Sequence, residues 1–277
     1  MAKTKKTGTS LVSMKDLEKF YATEAQEAAA AAPIAEGQPR LVAKDYQFSI
    51  GERILPDPLN LIVIAEALQN VYYDTEYDPK EKSPPACFAV GPADGPKAED
   101  NLTAHPTSPS PQGHGDDRKC IGCPQNEFGS SQRGGGKACS NTRQLAVVMA
   151  DDPGLTDGGP VQWAVLSLSP TGLRPWGKYV QGLANIAKRP PHGVVTQFSF
   201  NKQDPKEANR KAVVAIGYKP IQDVAVATRV RDLRKEILDG KLLVRPLPVD
   251  GYVPVSERGG AAKKGKATKP AAKKGKR

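Results

Sequence analysis

The chain has 277 residues and a formal net charge of +10, with 38% apolar and 6% aromatic residues. This length and composition allow one large or two small domains with a moderate core. No apolar run approaches the ~20 residues of a membrane span, and no apolar segment of a secretory signal follows the basic N-terminus. We therefore predict a cytoplasmic protein with no membrane partner.

The positive charge is concentrated at the C-terminus. Residues 257–277 contain nine Lys and Arg residues against one Glu, which leaves about +2 for the rest of the chain. A segment of Ala, Lys, Gly and Pro cannot bury enough apolar surface to fold, so a disordered basic tail is predicted over 256–277. Such a tail either binds phosphates with release of counterions or only increases solubility.

The N-terminal half contains few clear periodic signals. A helix over 14–32 is predicted within a flexible arm, 1–40, and DYQFSI at 45–50 indicates a strand. LNLIVIAEAL at 59–68 is a buried strand or a short helix. Residues 83–119 show no periodicity, and a structureless loop of that length is uncommon in a compact domain unless something holds it.

The cysteines lie in and before residues 119–139, KCIGCPQNEFGSSQRGGGKAC. A C-x-x-C turn lets two thiolates bind one ion at about 2.3 Å, as tetrahedral zinc requires. Zinc bound at both ends of the 83–119 loop would also hold that loop in place. We therefore predict one structural zinc ion, bound by Cys87, Cys120, Cys123 and Cys139.

Other interpretations of the cysteines are open from the sequence. His105 or His114 could replace one cysteine as a ligand. A redox C-x-x-C pair would favour a helix directly after the motif, but turn-forming residues follow Pro124. Four unrelated thiols are the remaining alternative.

The C-terminal half is more regular. The apolar runs at 144–150 and 161–168 predict a β-hairpin with a long loop, and two further strands at 193–200 and 211–218 could pair with each other. Helical spacing predicts a helix through 171–187, in which Pro175 is acceptable only in the first turn. A second helix has an apolar stripe of Val226, Val230, Leu233 and Ile237 and ends at Gly240. Trp176, Phe198 and Phe200 are predicted core residues.

This order of elements predicts a mainly β (α+β) fold. We expect an OB-fold-like antiparallel barrel over 41–255, with a zinc-binding insertion at 84–140, flanking helices and the basic tail. A generic α+β sandwich with a zinc insertion is the alternative.

One part of the chain resembles a known family. C-x-x-C-P-x-N-x-F-G-S, G-K-A-C and R-x-L-A-V, between 120 and 147, resemble a segment of tailed-phage single-stranded-DNA-binding proteins. The succession WAVLSLSPTGLRPWGKYVQGL is similar to the core of the T4-type helix-destabilising protein, a zinc-containing OB-fold. That family uses a histidine ligand, places its C-x-x-C pair last and ends in an acidic tail, and this chain differs in all three respects.

The resemblance implies binding and not turnover. The chain would coat single-stranded DNA without sequence preference in phage DNA replication, recombination or repair, in the host cytoplasm, with replication or recombination proteins and further copies of itself as partners. Lys and Arg would follow the phosphates while aromatic rings stack on bases. The candidate residues are Tyr72, Tyr73, Phe128, Arg133, Lys137, Arg143, Lys178, Tyr179, Lys188, Arg189 and Lys202.

Three competing functions are compatible with the same residues. A zinc-ribbon interaction protein or transcription or replication accessory factor would contact DNA only through its basic tail. A nucleoid-type condenser would bind duplex as tightly as single strands. A nuclease would need a carboxylate cluster on a metal, for which Asp116-Asp117 and Asp151-Asp152 are available in turn-rich loops.

Overall fold

The structure is a computed structural model that describes residues 38–75, 84–93, 95, 97–131, 135–245 and 247. The strands are β1 (Arg40–Lys44), β2 (Gln47–Ile50), β3 (Arg53–Leu55), β4 (Leu59–Tyr72), β5 (Cys87–Pro92), β6 (Cys139–Met149), β7 (Trp163–Leu168), β8 (Val194–Phe200) and β9 (Val213–Pro220). The helices are α1 (Pro170–Gly182), which a π-helix (Leu183–Ala187) continues, and α2 (Val224–Asp239). Single turns occupy Ala98–Asn101, Pro124–Asn126, Pro153–Leu155, Pro191–Gly193 and Glu207–Arg210.

The described strands form one sheet with the order β3-β2-β1-β7-β6-β4-β8-β9. All neighbours are antiparallel except β1 and β7, which run parallel. The long strand β4 has two neighbours on one side, because its first residues pair with β8 and its last six pair with β5. The sheet therefore divides along β4, with β8 and β9 on one branch and β5 on the other.

Strand β4 can serve both branches because it is apolar on both faces and carries a bulge. Leu61 and Val63 belong to the core on one side of the sheet, while Ile62 and Ile64 belong to the core on the other. The pairing with β6 shifts register between Val63 and Ala65, and a bulge bends and twists its strand. Nη1 of Arg234 donates to the Ile64 carbonyl at 2.6 Å, so this helix side chain binds the backbone at the bulge.

The sheet curls around its concave face. Phe48 of β2 and Phe200 of β8 lie near opposite ends of the strand order, yet their rings stack with centroids 4.7 Å apart. Helix α1 covers this face, where Trp176 is 1% exposed and stacks on Phe198 at 5.8 Å. The predictions of Trp176, Phe198 and Phe200 as core residues are confirmed.

Helix α2 covers the opposite face. Its predicted apolar stripe is confirmed, since Val230, Leu233 and Ile237 are buried against Ile62, Ile64 and neighbouring side chains. The Asp223 side chain caps its first turn by accepting from the backbone N–H groups of Ala225 and Val226. The fold is therefore mainly β, a sheet curled into a half-barrel with one helix on each face.

Several predicted elements correspond closely to the structure. The strand at 45–50 is present as β2, and 59–68 lies in β4, which decides the open choice in favour of a strand. The hairpin of β6 and β7, the pairing of β8 with β9, and the end of α2 at Gly240 are confirmed. The predicted helix at 14–32 and the basic tail lie outside the described residues.

Two predictions about local structure were wrong. The 83–119 region is not structureless, because it contains β5, whose residues Cys87–Pro92 add to the end of β4. This strand is short and flanked by Pro and Gly, so it has no periodic signal of its own. Pro175 does not lie in the first turn, because α1 begins at Pro170 and Pro175 falls in the second turn.

Among the described residues, no helix has both the length and the apolar character needed to cross a bilayer.

Candidate functional site

The four cysteines lie around one small cavity at the end of β4. Cys87 of β5 and Cys139 of β6 flank Tyr72 in the same register row, on opposite sides of β4. The turn that carries Cys120 and Cys123 completes the cavity, whose volume is about 20 Å³. Each cysteine is between 6% and 8% exposed, and none forms a disulfide. The sheet thus brings together thiols that are up to 52 positions apart in sequence.

Local hydrogen bonds explain the residues of the C-x-x-C-P-x-N sequence. Gly122 has φ +72°, a left-handed conformation that favours glycine inside the C-x-x-C turn. The Asn126 amide donates to the Cys120 carbonyl at 2.9 Å, and the backbone N–H of Asn126 donates to the Cys123 carbonyl at 2.8 Å. The asparagine three positions after the pair therefore closes the turn that holds both thiols.

The thiols lie in a poorly solvated environment and affect one another. Burial raises the pKa of Cys120 to about 11 and that of Cys139 to about 12, and the charge of the neighbouring cysteines adds to both increases. Burial also raises the pKa of Cys87, although the backbone N–H of Gln112 donates to its Sγ at 3.2 Å. Such buried thiols are protonated near neutral pH unless a cation compensates their charge.

The residues around the cavity fit a thiophilic metal by the chemistry of their donors. Four buried, reduced cysteines surround one space, and sulfur ligands suit zinc. In the described part of the chain, no group of three or more His, Cys, Asp or Glu side chains is arranged so that it could hold a metal ion. Neither His105, which stacks on Phe88, nor the exposed His114 lines the cavity. The cavity is therefore lined by four cysteines and by neither histidine.

A larger groove lies beside the cysteine cavity, and we call it the polar groove. It has a volume of about 790 Å³ and is lined by Leu68 and Asn70 of β4, by residues between Glu99 and Arg143, and by the first half of α1. Three predicted DNA-binding residues line it: Phe128, Lys137 and Arg143. Phe128 is 83% exposed, although it is a large apolar side chain. The Lys137 ammonium donates to Asn126 Oδ1 at 3.2 Å, so this cation is held at the groove by the same asparagine that closes the C-x-x-C turn.

Two carboxylates hold Arg143 in the polar groove. Its Nη1 lies 3.1 Å from Glu66 Oε2, and its Nη2 lies 3.6 Å from Glu99 Oε1. The same Glu66 oxygen accepts a hydrogen bond from Trp176 Nε1 at 3.0 Å. Arg143 therefore connects the sheet, helix α1 and the turn at Ala98–Asn101.

The other predicted DNA-binding residues that the structure describes do not line this groove. Tyr72 lines the cysteine cavity, and Tyr73 at the end of β4 is 51% exposed. The Tyr179 hydroxyl is 2.8 Å from Thr196 Oγ1, and its ring packs on Trp176, so it belongs to the edge of the core. Lys178 is exposed on α1, and Arg133 lies outside the described residues.

Of the remaining three predicted cations, two follow the π-helix and the third follows strand β8. Lys188 is exposed and has φ +53°, where the π-helix ends. Arg189 Nη1 donates to the Ile221 carbonyl at 3.1 Å. Lys202 Nζ lies 2.6 Å from Asp57 Oδ2, and although burial alone would raise the pKa of Asp57, hydrogen bonds from Lys202 and Ser199 lower it. The predicted residues thus do not form one continuous surface.

The sequence interpretation did not identify the polar residues of the groove. Asn70, Asn141 and Thr142 lie where β4 and β6 pair near the cysteines, and all three line the groove. Asn141 Nδ2 donates to Asn70 Oδ1 at 2.7 Å, and Thr142 donates to the Gln69 carbonyl at 3.2 Å. The available signal was the change from polar SNTRQ to apolar LAVVM along β6, which marks where the strand leaves the core.

Comparison of the chain with models of protein families, with curated proteins and with solved structures finds no match.

Proposed function

We propose that the protein coats single-stranded DNA without sequence preference, and that Cys87, Cys120, Cys123 and Cys139 hold one structural zinc ion. In this proposal the cysteine segment, residues 84–140, is a zinc-binding insertion in an OB-fold-like barrel. The observation that carries it is the position of Phe128, 83% exposed, beside Lys137 and Arg143 in a groove next to the cysteine cavity. The resemblance of residues 120–147 to phage single-strand binders suggests a role in phage DNA replication or recombination.

The groove offers the two kinds of contact that a flexible single strand needs. An exposed aromatic ring gains free energy by stacking on a base, about 1–3 kcal/mol for each base, and accepts any of them. Lys137 and Arg143 offer cationic groups to phosphates, and the counterions released at Lys137 make the affinity fall as salt rises. Asn70, Asn141 and Thr142 add amide and hydroxyl groups that can hydrogen-bond to whichever base or sugar enters.

Zinc, when bound, would supply a cross-link among four thiolates and no chemistry on DNA. The cysteines tie β5, the C-x-x-C turn and the start of β6 to one point. Asn126 connects the cysteine cavity with the polar groove, because its side chain closes the C-x-x-C turn and also holds Lys137. In this proposal, the cysteine cluster positions the groove residues and does not contact the strand.

Binding of the full-length protein to labelled single-stranded and duplex DNA across a salt series tests the proposal. We expect tighter binding to single strands, and we expect Phe128→Ala to weaken it about 5- to 150-fold, as loss of one stacked base requires. Ile186→Ala, which removes another exposed apolar side chain far from the groove-lining residues, is the matched control. Equal affinity for duplex, or an unchanged affinity in Phe128→Ala, would refute the proposal.

A second candidate function is a zinc-stabilised protein-interaction module. It is favoured by Ile121, 49% exposed, which lines the same groove as Phe128 and gives it a partly apolar surface. This candidate predicts that deletion of residues 257–277 abolishes all DNA binding. The single-strand binder should retain its preference for single strands after the same deletion.

A further inference from the structure

Arg143 lies between two carboxylates whose environments differ strongly. The Glu66 side chain is 16% exposed, whereas the Glu99 side chain is 76% exposed. The guanidinium contacts Glu66 through Nη1 at 3.1 Å and Glu99 through Nη2 at 3.6 Å. One contact is therefore short and shielded from water, and the other is long and solvated.

The contact with Glu66 is the fixed one. Its Oε2 accepts from both Arg143 and Trp176, whose indole is 1% exposed beneath α1. A carboxylate that is largely removed from water needs both donors to compensate its lost hydration. Displacing Arg143 from Glu66 would leave that charge unpaired, so this half of the arginine stays in place.

The contact with Glu99 is the exchangeable one. An exposed ion pair contributes little to stability, because water and salt screen it. Glu99 lies on the short turn Ala98–Asn101, and both Glu99 and Asp100 line the polar groove. The carboxylate thus occupies the position at Nη2 of Arg143 that an anion entering the groove would take.

We propose that Glu99 is an internal substitute for a backbone phosphate, which a single strand displaces when it occupies the polar groove. The inference rests on the proposed function and names the group with which the strand competes. A phosphate suits the vacated position, because the guanidinium has donors on both terminal nitrogens and can offer Nη2 to an anionic oxygen while Nη1 stays on Glu66. Arg143 would then bridge buried Glu66 and the phosphate, with Glu99 released to water.

This exchange has a distinctive salt signature. When DNA displaces Glu99, the DNA releases a cation and the freed carboxylate gains one, so the Arg143 contact adds little to the salt dependence. When residue 99 has no carboxylate, the contact between Arg143 and the phosphate still releases a cation from the DNA, but no freed carboxylate takes one up. Glu99→Gln should therefore steepen the slope of log affinity against log salt by up to about 0.7, the value for one phosphate of a single strand.

The experiment measures affinity of the full-length protein for a labelled homopolymeric single strand across a salt series. We expect Glu99→Gln to bind about two- to fivefold more tightly at low salt, the equivalent of one solvated ion pair, and with the steeper slope. Glu127→Gln is the matched control. Glu127 is an exposed carboxylate of the same segment, but its side chain does not line the groove. For this control we expect less than half of the gain in affinity that Glu99→Gln gives, and an unchanged slope of log affinity against log salt.

A second background tests whether Glu99 acts through Arg143. Arg143→Lys keeps a positive charge beside Glu66, but one ammonium cannot serve two anions in the way the fork does. Adding Glu99→Gln to Arg143→Lys should therefore give less than half of its gain in the unmodified chain. Thermal unfolding of each variant confirms that the compared proteins are folded.

The outcomes separate the two proposals. If the unmodified chain binds no single strands, the proposed function fails. If it binds them but Glu99→Gln leaves the affinity and slope unchanged, only the internal competition is refuted. A gain equal to that of Glu127→Gln would likewise refute it, because it would show a general effect of charge, and a loss of thermal stability without a change in binding would assign Glu99 a structural role alone.

Discussion

Among the described residues, the concave face of the sheet buries a cluster of fifteen under α1, whereas the cluster beneath the cysteine segment contains four: Leu68, Ala89, Leu102 and Cys120. Burying one large apolar side chain contributes about 1.5–3 kcal/mol, so the first region can be stable through packing and the second cannot. This difference favours the proposal that a bound metal cross-links the cysteine segment, because apolar burial there is small.

If the cysteines hold zinc as proposed, the strongest test of this difference removes one of its ligands. We expect Cys123→Ser to abolish zinc binding, whose apparent free energy is about 10–16 kcal/mol in zinc-finger peptides. Hydrogen exchange should then become fast in residues 84–138 while β4, β6 and β7 stay protected. Ser140→Ala, next to Cys139 but outside the cysteine set, should retain one zinc ion per chain. Slow exchange throughout the metal-free segment would contradict the comparison.

The reciprocal test destabilises the sheet. Leu61 is 0% exposed on the concave side of β4, so Leu61→Ala leaves a cavity and should lower the free energy of unfolding by about 2–5 kcal/mol. Urea unfolding of the zinc-loaded protein measures this loss. Ile54→Ala, at a side chain 65% exposed on β3, should change it by less than about 0.5 kcal/mol. Similar losses in both variants would show that the curled sheet is not the stable part.

A smaller effect is expected where the two regions are connected through Glu66. Trp176→Phe removes the indole N–H that donates to Glu66, and a hydrogen bond to a charged group contributes about 1.5–3 kcal/mol. Trp163→Phe removes a similar volume from the other face of the sheet and serves as the control for packing. The difference between the two urea midpoints reports the hydrogen bond. No difference would mean that Arg143 alone compensates the carboxylate.

The smallest effect on stability is expected at Phe128. Its ring is 83% exposed, so Phe128→Ala should change the free energy of unfolding by less than about 0.5 kcal/mol, in contrast to its effect on single-strand affinity. Thermal unfolding with zinc present measures this. A large destabilisation would show that Phe128 supports the cysteine segment and is not free to stack on a base.

Much of the C-terminal half could be predicted from its periodicity. Alternation in VVTQFSF identified the face of β8 that carries Phe198 and Phe200, and helical spacing identified the buried stripe of α2. These signals are readable because each element buries one face and exposes the other. Strand β5 gave no such signal, since nearly all of its six residues are buried or partly buried and Pro and Gly end it.

The cysteine spacing by itself determined that Cys120 and Cys123 share one turn, because two intervening residues leave their thiols few other arrangements. The sequence could not decide between a histidine and Cys87 as their neighbour, or show that Phe128, Lys137 and Arg143 line one groove while Tyr179 joins the core. Those relations depend on strand register, since pairing of Tyr72 with both Cys87 and Cys139 sets which distant residues meet. Register is fixed by burial across the whole sheet, and no local pattern specifies it.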